Sequence, residues 1–211
     1  MTILVPRGAE AAAVRRGAPS ARIVELPAGA AAASALPRFE RGETAVVLGL
    51  CGALRRLEAD DVAIYARVAG GARTAVLDRP LVDALAAALP SALIVNACTA
   101  ERVVTAAAAR TTIARRFDAD VVDMEGTHLA TALDALQVRF AMVRVVSDDA
   151  SRDLPPIGGA IDSEGRVRPA AIALAFARAP RAAFAFVRNV RRALATLTET
   201  ARVVAELDLQ G

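Results

Sequence analysis

Short runs of Val, Ile and Leu alternate along this chain with longer alanine-rich stretches. An apolar run of four to eight residues bounded by Gly, Pro or Asp reads as a strand. On that basis strands are predicted over 2–6, 22–26, 44–50, 61–68, 72–77, 92–97, 119–123 and 138–147. Helices are predicted over 9–16, 80–89, 101–116, 125–136 and a long stretch from 169 to 207. Such alternation argues for an α/β layer fold: one domain, 1–211, with a mixed, mostly parallel twisted sheet flanked by helices. Residues 169–209 then form a C-terminal helical region. Runs 61–68 and 72–77 lie close enough for an antiparallel hairpin, which makes the sheet mixed.

Two segments break the pattern. Pro27 to Gly42, rich in Ala, Gly and Pro, reads as a surface connection. Ser151 to Pro169, with Pro155-Pro156, Gly158-Gly159 and Gly165, is either a lid or a plain connector. In the C-terminal helix, Val187, Val190, Leu194, Leu197, Ala201 and Val204 make one apolar stripe. Arg188, Arg191 and Arg192 lie towards its other side, as a solvated face or as a weak peripheral contact with anionic lipid.

Composition narrows the classes. All 26 basic residues are arginine, the net charge is only +3, and there is one tyrosine, six phenylalanines and no tryptophan. A nucleic-acid groove calls for clustered basic residues interleaved with aromatics, so nucleic acid is not an expected partner. Cys51 and Cys98 sit in apolar strand contexts outside any CxxC pair and read as reduced, buried thiols. No run of about 18 apolar residues is present, and Met1–Val5 reads as a first strand cut short by Pro6 rather than a signal peptide. A cytoplasmic protein is the expectation.

The candidate chemistry is carboxylate chemistry. Asp123 and Glu125 follow one apolar run and Asp148-Asp149 another. In an open α/β sheet, ligands bind at the carboxyl ends of strands. Two acids delivered to one crevice suit cleavage of a glycosidic bond, where one carboxyl protonates the leaving group and another activates water. Asp148, after the run 140–146, suits the acid, because partial desolvation favours its protonated form; a plain polar turn at Ser147-Asp148 is the competing reading. Glu125, in the first turn of helix 125–136, suits an ionised clamp on ribose hydroxyls, with Met124 packing against sugar or base. Asp123 reads better as the N-cap of that helix, Asp149 as solvent-facing, and His128 as an ordinary helix residue. Gly49-Leu50-Cys51-Gly52 reads as a turn that lets backbone approach a ligand. No metal-ligand cluster is visible.

Asp123-Met124-Glu125-Gly126, followed by Arg144-Val145-Val146-Ser147-Asp148-Asp149-Ala150, resembles the signature of the nucleoside phosphorylase/nucleosidase superfamily. Val46–Leu54 and Asp60–Ile64 are similar to its Gly-rich turn and following strand, so the likeness spans roughly residues 44–150. In layout the C-terminal part is most similar to hopanoid-associated members. The resemblance implies a homo-oligomer, dimeric or larger, acting on a small-molecule nucleoside without a cofactor. It implies Asp148 as the acid on purine N7 and Glu125 as the ribose ligand. Glu10, a little close to the first strand, matches the carboxylate that activates water. Ser147, Gly49 and Cys51 fall in its substrate-binding motifs, and Val103-Val104 at its base-recognition edge. An aspartate at 148 points to adenine.

Departures from the pattern shape the activity expected. Where phosphorylases of this group carry a hydroxyl residue and an arginine around the turn, this chain has Leu50 and Val47. Losing both contacts to phosphate favours hydrolysis, unless Arg15 or Arg16 supplies them. Val103 stands where nucleosidases often offer a stacking aromatic. The leading expectation is a nucleosidase acting on a purine ribonucleoside, 5′-substituted as in adenosylhopane or methylthioadenosine. The alternatives are a phosphorylase using inorganic phosphate and a non-catalytic nucleoside-binding relative.

Overall fold

The computed structural model describes residues 1–157 and 168–209. The strands are β1 (Thr2–Pro6), β2 (Arg22–Leu26), β3 (Thr44–Ala53), β4 (Val62–Gly70), β5 (Arg73–Val76), β6 (Leu93–Thr99), β7 (Val121–Asp123) and β8 (Arg139–Asp148). The helices are α1 (Ala9–Gly17), α2 (Ala31–Ser34), α3 (Arg79–Ala88), α4 (Ala107–Phe117), α5 (Gly126–Ala135), α6 (Pro169–Arg178) and α7 (Pro180–Glu206).

The sheet is mixed, as its hairpin predicts: β4 and β5 pair antiparallel from Arg67↔Val76 to Gly70↔Arg73. It does not fan open. β3 pairs with β8 in parallel, β8 with β4 antiparallel, and β4 with β6 in parallel. β6 pairs with β7 in parallel and β7 returns antiparallel to β3, so the strand pairings close into a ring. β1 and β2 extend from β3 as a parallel wing. Closure brings the ends of β3, β7 and β8 around one mouth, which an open sheet would have spread along a crevice.

Small side chains let the helices lie close. At Gly17 in α1, an added Cβ would fall 1.9 Å from the carbonyl oxygen of Thr198 in α7. On α7, Leu197, Ala201 and Val204 are buried as the apolar stripe requires, while Arg188, Arg191 and Arg192 are exposed. The core joins β1, β3, β4 and β8 to α1, α3, α5 and α7. No described helix is long and apolar enough to cross a membrane.

Several boundaries differ from the sequence reading. Gly49 to Gly52 are strand residues of β3, not a turn, because β8 pairs alongside; the irregularity is a register shift between Cys51 and Gly52. The helix expected from 101 starts only at Ala107, where the Asp153 carboxylate accepts from the Ala107 N–H at 2.8 Å, leaving 100–106 as a loop. The C-terminal helical region is two helices, since Pro180 lacks the N–H needed to continue α6. The connection 27–42 contains the short α2. Of the predicted lid, 158–167 lie outside the described residues.

Candidate active site

β1 ends at Pro6 and turns through Gly8, at φ 95°, into α1, which places Glu10 beside the carboxyl half of β3. β7 delivers Asp123, Met124 and Glu125; β8 delivers Ser147 and Asp148. Together with Leu50, Cys51 and Gly52, these residues line one cavity of about 370 Å³. The side chains at 10, 125 and 148 thus share a single space, although they come from different strands.

Asp148 is 7% exposed, and its Oδ1 accepts from Ser147 Oγ at 2.7 Å. Ser147 Oγ lies 3.1 Å from the Cys51 carbonyl, tying β8 to β3 beside the acid. The acid is not at an open rim: Oδ2 lies 2.6 Å from Nη2 of Arg110, itself 1% exposed. Burial raises the Asp148 pKa, while Arg110 and the Ser147 hydroxyl oppose that rise. Arg110 is held from α4 by donation from Nε to the Val104 carbonyl at 3.0 Å and from Nη1 to the Asp149 carbonyl at 2.6 Å.

At the other end, burial pushes the Glu10 carboxyl up to about 7, with Arg144 opposing and Glu125 reinforcing. Its Oε1 accepts from the Leu50 N–H at 2.7 Å. Glu125 is also raised, chiefly by burial, and Oε1 accepts from the Gly29 N–H at 2.9 Å. Glu125 occupies the cap position of α5 rather than its first turn, and its side chain bonds no helix N–H. The capping contact comes from Asp123, whose Oδ1 accepts from the Gly126 N–H at 3.1 Å. Asp123 does more than cap: it also accepts from Thr99 Oγ1 at 2.8 Å. Behind these acids lies Arg144, wholly buried, with Nη2 at 3.4 Å from Glu125 and 3.6 Å from Asp123. One guanidinium therefore balances the carboxylates at 123 and 125 and attracts Glu10 as well.

Gly49 serves this cluster rather than the ligand. It does not line the cavity, and a Cβ there would fall 2.1 Å from Arg144 Nη1 and 2.8 Å from Glu10 Oε1. We expect Gly49→Ala to displace the guanidinium and cost about 1–3 kcal/mol of stability, read as a lower urea midpoint. An unchanged midpoint would show that the cluster yields without strain.

Most of the remaining wall is apolar. Val103 and Val104 reach the cavity from the 100–106 loop, Leu154 and Ile157 from the segment after β8, and Phe186, Val190 and Leu194 from α7. Because the Val104 carbonyl already accepts from Arg110, it offers less to a base than the sequence reading assigned. Arg15 pairs with Glu25 at 2.7 Å on the surface, and neither Arg15 nor Arg16 lines the cavity, so they supply no phosphate site there. Arg7 and Arg102 are the exposed cations at the wall. Cys51 and Cys98 are free and buried, with burial raising both thiols. Asp149 is partly exposed and accepts from the Ser151 N–H at 2.9 Å. No described group of His, Cys, Asp and Glu is arranged to hold a metal ion.

Arg110 and Arg144 escaped the sequence reading as site residues. Arg144 carried a signal, a charge in the middle of the run Val143-Arg144-Val145-Val146. Arg110 carried none, being one arginine among several in an alanine-rich helix.

The sequence profile of the phosphorylase superfamily matches residues 9–178. No curated protein matches the chain. Among solved structures, it is similar to the 5′-methylthioadenosine/S-adenosyl homocysteine nucleosidase of Helicobacter pylori, with TM-score 0.72 and 14% identity over 98% of this chain and 97% of that one. The corresponding nucleosidase of Neisseria meningitidis gives 0.70 at 17% identity, covering 98% and 99% of the two chains. Futalosine hydrolase of Helicobacter pylori gives 0.71 at 12% identity, covering 98% and 97%. Identities this low establish a common fold.

Proposed function

Because the chain belongs to the phosphorylase superfamily, we propose that it hydrolyses the N-glycosidic bond of a purine ribonucleoside. The observation that carries this reading is the meeting of Glu10, Glu125 and Asp148 in one cavity.

Breaking C1′–N puts positive charge on the sugar and negative charge on the base. Asp148, whose proton affinity burial raises, takes up a proton and passes it to N7 so that the base departs neutral. Arg110 beside it stabilises the carboxylate left behind. Water adds to C1′ and gives its proton to Glu10, whose pKa of about 7 suits a base at neutral pH. Glu125 accepts from the ribose hydroxyls, while the Gly29 N–H holds its carboxylate in place. Side chains supply both proton transfers, and the scheme requires no cofactor.

Adenine is the base we favour, on the aspartate at 148. The apolar wall of Phe186, Val190 and Leu194 supports an apolar 5′ substituent, of which methylthioadenosine and adenosylhopane are examples. Water as acceptor is supported by Leu50, whose N–H is already taken by Glu10, and by the buried Val47. Arg7 and Arg102 favour a second reading, phosphorolysis. Free base released from adenosine, inosine and 5′-modified adenosines, in phosphate-free buffer and in excess phosphate, separates the two. Hydrolysis predicts equal rates in both buffers; turnover only with phosphate would establish the phosphorylase, and no release in either would remove both.

A further inference from the structure

Helix α6 is apolar on every side: of Pro169–Arg178, only Arg178 carries a polar side chain. Yet the helix is on the surface. Ala175 is its one buried residue, and Leu174 is 52% exposed. A helix hydrophobic all round is normally buried in protein or in lipid. Next to it, the outer face of α7 presents Arg181, Phe184, Arg188, Arg191 and Ala195, three or four residues apart and all exposed. Phe184 is 73% exposed, and Phe176 of α6 meets Phe186 of α7 edge-on at 6.4 Å, joining the two helices.

Along α6 and the first two-thirds of α7 the charge has one sign. From Arg168 to Thr198 there are six arginines and no carboxylate. Arg192 pairs with Asp60 at 3.4 Å, and the other five form no ion pair with a described residue. Exposed Leu and Phe beside arginines that have no ion-pair partner among the described residues are the composition of a helix that lies in a membrane interface, apolar side chains at the acyl boundary and cations at the headgroups.

We propose that α6 and the outer face of α7 dock this protein on an anionic lipid bilayer. A second copy of the chain fits worse, because a two-fold contact through this face sets arginines against arginines. The docking stands on this face alone and does not depend on the nucleosidase reading.

Sedimentation with vesicles of phosphatidylcholine, with and without about a third phosphatidylglycerol, tests it. At low ionic strength the bound fraction is expected to be at least about tenfold higher on anionic vesicles, and to fall towards the neutral level in high salt. Leu174→Ser with Phe184→Ser is expected to weaken anionic binding about fivefold or more, and Arg178→Glu with Arg191→Glu to remove the preference for anionic lipid. Both pairs lie outside the cavity lining, and an unchanged urea midpoint serves as the control for folding. Equal binding to both vesicle types, or none, overturns the proposal. So does a concentration-dependent dimer, seen by sedimentation velocity, that Phe184→Ser dissociates. If a variant fails to fold, the wild-type comparison between the two vesicles still decides.

Discussion

Asparagine at position 148 is expected to lower kcat for base release by roughly 10²–10⁴-fold, the usual contribution of a positioned general acid. An amide has no proton to give N7, so the base would have to leave as an anion. The same change bears on stability through Arg110. The wild-type pair, 2.6 Å apart, lies between a guanidinium 1% exposed and a carboxylate 7% exposed. Removing one charge of a buried pair leaves the other uncompensated and costs about 3 kcal/mol. Asp148→Asn should therefore shift the urea midpoint down as well as slow turnover. Adding Arg110→Gln removes the stranded charge, so the double variant should recover stability without recovering activity. Wild-type turnover in Asp148→Asn would refute the assignment of the acid.

Glu10→Gln is expected to separate function from stability in the opposite sense. Turnover should fall by a similar 10²–10⁴-fold, since an amide cannot accept the proton of the attacking water. Burial pushes the folded carboxyl up to about 7, against an ordinary value of 4.5. Below the lower value it is protonated in both folded and unfolded chains. Between the two, the native state holds a proton that the unfolded chain has released, so stability falls as pH rises through this window. By pH 8 the deficit amounts to roughly 3 kcal/mol. Glutamine escapes it, and the variant should be the more stable protein at pH 8 and near parity at pH 4. Stability curves that stay parallel across this range would mean that Glu10 is not held in a desolvating site.

Much of the architecture is legible from local pattern. Strands such as β1, β6 and β8 are short apolar runs bounded by breakers, and the 61–77 hairpin is a matter of spacing. The start of α4 was not legible, because its Ala107 N–H is satisfied by Asp153, a residue far along the chain. Gly49 to Gly52 looked like a turn because two glycines in four residues usually make one. Within β3 the first of them instead leaves room for a guanidinium.

The site divides in the same way. The carboxylates at 125 and 148 follow apolar runs, and a charge at the end of a strand is visible to anyone reading residues in order. What those carboxylates experience is not visible there. Arg144 reaches Asp123 and Glu125, and Arg110 reaches Asp148, through contacts between separate elements. Both guanidinium groups are buried, where low dielectric makes each ion pair strong and each stranded charge costly. Near neighbours in the chain thus specified which acids are present and where the strands end. Closure of the sheet, by bringing distant arginines beside them, established which acid is paired and which carries a pKa near neutrality.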